Sequence, residues 1–208
     1  MDAKQVAAKQ AEIEKLQARI AELEVELTAG GHTADFSKSY YLTYYATAGF
    51  FLGMVGAITS LLFNIVGATA AGKHPLELIK TYLTFGLGAQ AVEPGFDNGL
   101  ALAMGCCLYI GTGMLLGIPF HVILTKFASD KGLGGRLAFA SALGLAIWII
   151  NFYILLSWLQ PLMFGGNWIV RDIPWWVAAA THLVFAWTMA VVYPWGLYQP
   201  YRLQTEQS

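Results

Sequence analysis

Two histidines in this chain lie in stretches that hold no Asp, Glu, Lys or Arg. In residues 100–124 the imidazole is His121; His182 sits in the apolar run that follows Pro174-Trp175-Trp176. An ionisable group at membrane depth is expensive to keep, so each raises a functional question. The sharpest chemistry for the pair is axial ligation of a b-type haem. Depth argues against it. If the chain crosses a bilayer four times, both segments run the same way, with His121 near the end of its span and His182 near the start. That leaves the two roughly 10 Å apart along the membrane normal, whereas two nitrogens on one iron are about 4 Å apart. The expected role is a hydrogen bond to a facing helix, with Asn151 or Asn64 as partner. A proton path, a quinone headgroup contact or ligation shared with another subunit are the remaining readings.

Other chemistry finds no constellation. The two histidines have no intramembrane carboxylate for a proton relay, which weighs against transport. No Cys/His spacing suits zinc, no glycine-rich phosphate loop follows a strand, and Ser141 and Ser157 lack partners for a triad. Cys106 and Cys107 are adjacent; a disulfide between neighbours is strained, so they read as small packing residues. No enzymatic activity is expected, and no cofactor of the chain's own, with haem b as the alternative. Bound lipids are expected.

The elements that must position these residues are membrane helices. The chain is 57% hydrophobic and 12% charged, against about 25% charged in a soluble domain. As a helix, residues 100–124 would reach roughly 37 Å, more than a hydrocarbon core of about 30 Å. Spans are expected at 41–70, 100–125, 137–164 and 175–195. Small residues stripe them at helical spacing: Ala46, Gly49, Gly53, Gly56, Ser60 and Asn64 on the first, and Gly105, Tyr109, Gly113, Gly117 and His121 on the second. Because lipid supplies no hydrophobic drive for helices to associate, such stripes read as contact faces. Seven Trp and ten Tyr fit interfacial belts.

Residues 1–29 form a separate polar helix. Ile13, Ile20 and Leu27 recur every seven, with Leu16 and Leu23 between them. Such a seam pairs with another helix, either its own copy or a different subunit. Arg19 and Glu24 would attract across a dimer. A linker over 30–40 follows Gly30-Gly31. Residues 75–90 read as an outer interfacial helix: Leu76, Ile79, Leu83 and Leu87 form an apolar stripe, with Lys73, Glu77, Lys80 and Thr84 off it. A polar tail covers 199–208. With four spans and both termini inside, nine Lys and Arg fall inside and three outside, as the positive-inside rule requires. A net charge of −1 gives no reason to bind nucleic acid.

Three short motifs carry a resemblance: Gly117-Ile-Pro-Phe-His121, the basic turn Lys131-Gly-Leu-Gly-Gly-Arg136, and Thr181-His-Leu-Val-Phe185 leading to Tyr193-Pro194. Over residues 100–198 the chain resembles small uncharacterised four-helix bacterial membrane proteins, some of which look like companions of haem–copper oxidases. The N-terminal helix is not part of that pattern. The resemblance implies a respiratory neighbourhood and no catalytic residues. The expectation is thus an all-α polytopic protein of the bacterial inner membrane, a non-catalytic accessory subunit of a larger complex. Gly49, Gly53, Gly56, Gly105, Gly113 and Gly117 would pack helices, and Ile13, Leu16, Ile20, Leu23 and Leu27 would meet a partner. The alternative is a homodimeric haem-binding redox protein or small transporter using His121 or His182.

Overall fold

A computed structural model of the protein describes residues 3–29 and 35–198. Gly30-Gly31 and the 199–208 tail lie outside the described residues, as does the side chain of Leu27. All regular structure among the described residues is helical. The order is α1 (Ala3–Ala29), α2 (Asp35–Ala70), α3 (Glu77–Leu87) with a 3-10 turn Gly88–Val92, and α4 (Gly99–Ala128). Then α5 (Leu133–Ile149) runs through a π turn, Ile150–Leu155, into α6 (Leu156–Phe164). A short α7 (Trp168–Asp172) precedes α8 (Trp175–Val192), which closes in a 3-10 turn Tyr193–Gly196. The chain divides into two compact units, one up to Thr43 and one from Tyr44.

Four helical stretches are long and apolar enough to cross a bilayer: Tyr41–Ala70, Gly99–Ala128, Leu133–Phe164 and Trp175–Gly196. This is a helical membrane protein. The rods overrun the apolar text at several ends. Lys126 lies in the last turn of α4 and Arg136 in the first turn of α5, so that residues 129–132 alone separate the two helices where the expected spans leave 126–136. Their long aliphatic stems let helix continue while the charge stays at the surface. Likewise α2 begins at Asp35, inside the expected 30–40 linker; Phe36-Ser-Lys-Ser-Tyr contains no Gly or Pro to stop it.

In the second unit, α2 and α4 pack antiparallel with glycine against glycine. A Cβ on Gly49 would stand 2.5 Å from the Gly117 carbonyl oxygen, and one on Gly117 would stand 2.6 Å from the Gly53 Cα. Gly113 meets Ala57 and the Gly53 carbonyl in the same seam. Further along, the Ser60 and Tyr109 hydroxyls are 2.9 Å apart. Backbones in such contact gain dispersion energy that larger side chains would forbid. α5 and α8 form a second antiparallel pair: a Cβ on Gly144 would come 2.8 Å from Ala186 Cβ, and the Trp187 indole N–H donates to Ser141 Oγ at 2.8 Å. Phe185 of α8 ties the pairs together, lying under Gly56 of α2 and edge-on to Phe120 of α4 at 5.8 Å between ring centres.

At 11 residues α3 is about 16 Å long, too short to cross. It packs over α4 at Gly105, where Ile79 Cγ2 and Leu83 Cγ would lie 2.7 and 2.9 Å from an added Cβ. Gly105 therefore receives α3. The buried face of α3 also differs from the apolar stripe. Thr84, assigned to the polar side, is fully buried, whereas Leu87 is exposed. The reason is Gln160 on α6: its Nε2 donates to Thr84 Oγ1 at 2.7 Å, and its Oε1 accepts the Ile169 backbone N–H of α7 at 3.0 Å. Thr84 in turn donates to the Thr81 carbonyl. A fully buried polar trio with its hydrogen bonds satisfied costs little to bury, and it fixes three elements to one another.

Candidate functional site

Between α4 and the α5–α6 rod, roofed by α3 and floored by α2 and α8, lies a cavity of about 640 Å³. Its walls are apolar, from Leu83, Leu116, Phe120, Ile147, Phe152 and Phe185 among others. Leu108, Leu115 and Leu155, which also line it, are exposed on the outer surface of the helices, so the cavity opens sideways between the rods.

Seven polar residues line this space: Ser60, Tyr82, Tyr109, Thr112, Asn151, Thr181 and His182. Five are hydroxyls, and each spends its proton within the protein. Ser60 donates to the Ala57 carbonyl at 3.0 Å, so the proton between Ser60 and Tyr109 belongs to Tyr109. Thr112 donates to the Leu108 carbonyl at 2.9 Å, so Tyr82 is the donor to Thr112. Thr181 donates to the Val177 carbonyl at 2.8 Å and accepts from Asn64 Nδ2 at 2.9 Å. Burial pushes the Tyr82 phenol above its ordinary pKa, an effect its bond to Thr112 partly offsets.

The two remaining polar groups differ. His182 Nδ1 lies 2.8 Å from the Ala178 carbonyl one turn back on α8. A carbonyl only accepts, so Nδ1 carries the hydrogen, and in the neutral ring Nε2 is a bare lone pair. No hydrogen bond is made to Nε2 among the described residues. Asn151 sits in the π turn, where the Leu156 N–H reaches back five residues to the Asn151 carbonyl. Its carboxamide makes no hydrogen bond among the described residues, and it lines the cavity beside Ile147 and Leu155. Residues four apart on an α-helix drift by about 40°. The wider π turn takes back part of that drift, which keeps Ile147, Asn151, Leu155 and Leu159 all on the cavity.

His121 belongs to another place. It is fully buried, with Nε2 3.3 Å from the Gly196 carbonyl and its ring beside Tyr193 and Tyr45 at 5.4 and 5.9 Å. Only a glycine fits at 196, since a Cβ would come 2.7 Å from the imidazole. His121 Nδ1, Thr125 Oγ1 and the Tyr193 hydroxyl are buried without partners among the described residues, and the Arg136 guanidinium stacks 4.6 Å above the Tyr193 ring. From His182 to Gly196 the chain climbs α8 and its terminal turn, on the order of 20 Å at 1.5 Å per residue. The two imidazoles therefore sit toward opposite ends of α8, each held by a different backbone carbonyl, and do not face one another across a common site. Neither uses the anticipated partners: Asn64 is committed to Thr181, and Asn151 faces the cavity.

The remaining residues singled out from the sequence fall into place by contact. Gly49, Gly53, Gly113 and Gly117 form the α2–α4 seam, Gly56 lies on Phe185, and Gly105 lies under α3. On α1, Ile13 is half-buried, and Leu16, Ile20 and Leu23 are exposed. Arg19 pairs with Glu22 of its own helix at 2.6 Å. Cys106 and Cys107 are free thiols, the first partly packed and the second exposed. Sequence reasoning missed Gln160, whose lone amide near the end of an apolar run was the available signal. It also missed the grouping of Tyr82, Tyr109, Asn151 and His182, which come from four separate elements. Comparisons with protein-family models, curated proteins and solved structures found no match for this chain.

Proposed function

We propose that the chain is a non-catalytic accessory subunit of a larger bacterial inner-membrane complex, with both termini cytoplasmic, and that it aids assembly through helix contacts. Respiratory electron-transfer complexes are the class to test first. The observation that carries this reading is the seam on α1. Leu16, Ile20 and Leu23 are 57%, 56% and 40% exposed, on a helix otherwise rich in Lys, Glu and Gln. Apolar area left in water forgoes about 25 cal/mol per Å² of stabilisation, which a covering helix would recover. A helix with an apolar stripe gains most of its stability from packing that stripe. The seven-residue spacing fits a helix from another subunit as readily as a second copy.

Purification in mild detergent followed by native mass spectrometry separates these cases. The expected result is one copy of the chain with other subunits in fixed stoichiometry, lost when Leu16, Ile20 and Leu23 are all replaced by Glu while the elution profile of the chain stays sharp. A lone monomer, or a homodimer without other subunits, would overturn the proposal.

A further inference from the structure

We infer that the side-opening cavity binds a lipid-soluble amphiphile whose head is a hydroxylated aromatic ring, entering from the bilayer between α4 and the α5–α6 rod. The volume of about 640 Å³ lies within the range of small-molecule sites, roughly 300–1,000 Å³. Its open side is lined by Leu108, Leu115 and Leu155, so access runs through lipid and favours a ligand with an apolar tail.

The head is specified by what the site leaves unpaired. Every hydroxyl around the cavity already donates to a protein acceptor. His182 Nε2 is left as an acceptor with no donor, because Nδ1–H is held by the Ala178 carbonyl. A ligand must bring a hydrogen to it, which a ring hydroxyl does and a ring carbonyl does not. The Asn151 carboxamide, which lines the same cavity, can both donate and accept and so adds a second polar contact for the head. The π turn that presents Asn151 is a feature that recurs at functional sites. The rings of Tyr82, Tyr109, Phe152 and Phe185 offer edges and faces for a planar head to pack against.

The test uses the full chain in lipid nanodiscs, with decylubiquinol as probe under reducing conditions. Decylubiquinone and the aliphatic alcohol farnesol are the comparators, and binding is read by displacement of tryptophan fluorescence and by native mass spectrometry. Decylubiquinol is expected to bind saturably, one per chain, and about tenfold more tightly than the quinone, as loss of one buried hydrogen bond implies. His182→Leu should abolish that preference, and Leu155→Trp, placed at the opening, should weaken all binding with helical content unchanged by circular dichroism. Asn151→Leu provides a second polar removal should His182→Leu fold poorly, and is expected to weaken quinol binding severalfold. No saturable binding would overturn the inference. So would equal binding of quinol and quinone, farnesol binding as tightly as the quinol, or quinol binding unchanged in Asn151→Leu and Leu155→Trp.

Discussion

Replacing Gly117 by Ala is the most direct probe of the α2–α4 seam. The added methyl carbon would lie 2.6 Å from the Gly53 Cα and 2.9 Å from the Gly53 nitrogen, and closer still to the Gly49 carbonyl oxygen. All three are backbone atoms, so no side chain can swing aside. Restoring ordinary contact of about 3.4 Å at the closest of these atoms requires the helices to part by roughly 1.2 Å, and a gap of about 0.5–1 Å already forfeits a quarter to a half of the dispersion energy of the separated atoms. The loss extends along the seam, because Gly49, Gly53 and Gly113 are tied to the same axis separation. Overpacking of this kind costs about 1–3 kcal/mol, which for a chain of this size lowers the melting temperature by roughly 2–12 °C. The proper comparison is Gly111→Ala on the same helix, where an added Cβ meets nothing within 4 Å. Thermal denaturation in detergent, followed by size-exclusion fluorescence, reads both variants side by side. Gly111→Ala should melt at or slightly above the parent temperature, since Ala outranks Gly in a helix. A Gly117→Ala protein that melts with Gly111→Ala would refute the claim that this seam is closed by backbone contact.

Two further outcomes follow from the α3 region. Gln160→Leu removes both hydrogen bonds that join α6 to α3 and α7 and leaves the buried Ile169 N–H unpaired; a loss of about 2–3 kcal/mol is expected, with faster amide exchange across Glu77–Leu87 in hydrogen–deuterium mass spectrometry. Unchanged exchange there would remove Gln160 from its pinning role. Tyr82 has its phenol pKa raised in the folded protein by burial. A raised folded pKa contributes stability that is present below the unfolded value of about 10 and is lost as pH climbs through the folded value. Tyr82→Phe should therefore remove one late phenolate from the ultraviolet titration above pH 10, and below pH 9 cost only the bond to Thr112, about 1 kcal/mol. Loss instead of a phenolate that titrates in the ordinary range near about pH 10 would contradict the burial of that hydroxyl.

The exposed surface of the four spans has its own logic. Phe51, Leu62, Val66, Leu100, Leu108 and Leu162 would be anomalous on a soluble protein, yet each lies on a rod long enough to cross a bilayer. In hydrocarbon such side chains are already among their own kind, so burial no longer marks the core. Among the covered residues, small and polar ones, Gly113, Gly117, Ala186, Ala190, Ser60, Asn64 and Thr181, stand beside large ones such as Phe120, Leu124 and Met189. Trp175 and Trp176 at one end of the last span and Trp195 at the other are all exposed, as amphipathic rings at two interfaces would be.

Length and composition alone determined that this chain is helical and that four of its segments can cross a membrane. Only a helix or a closed barrel satisfies the backbone in lipid, and apolar runs this long without alternation leave the helix. The glycine stripes were legible too, because four-residue spacing on an apolar rod puts small residues on one side. What they would touch was not. Gly105 could have met a spanning helix as easily as α3, since one apolar face fits another without preference until whole surfaces are brought together. Tertiary structure alone decided that Thr84 turns inward to Gln160, that His121 and His182 lie in separate surroundings, and that a π turn places Asn151 on a cavity shared with His182. Those outcomes depend on hydrogen-bond partners far away in the chain and on the small rotations by which helices settle. Neither leaves a periodic trace in the order of the residues.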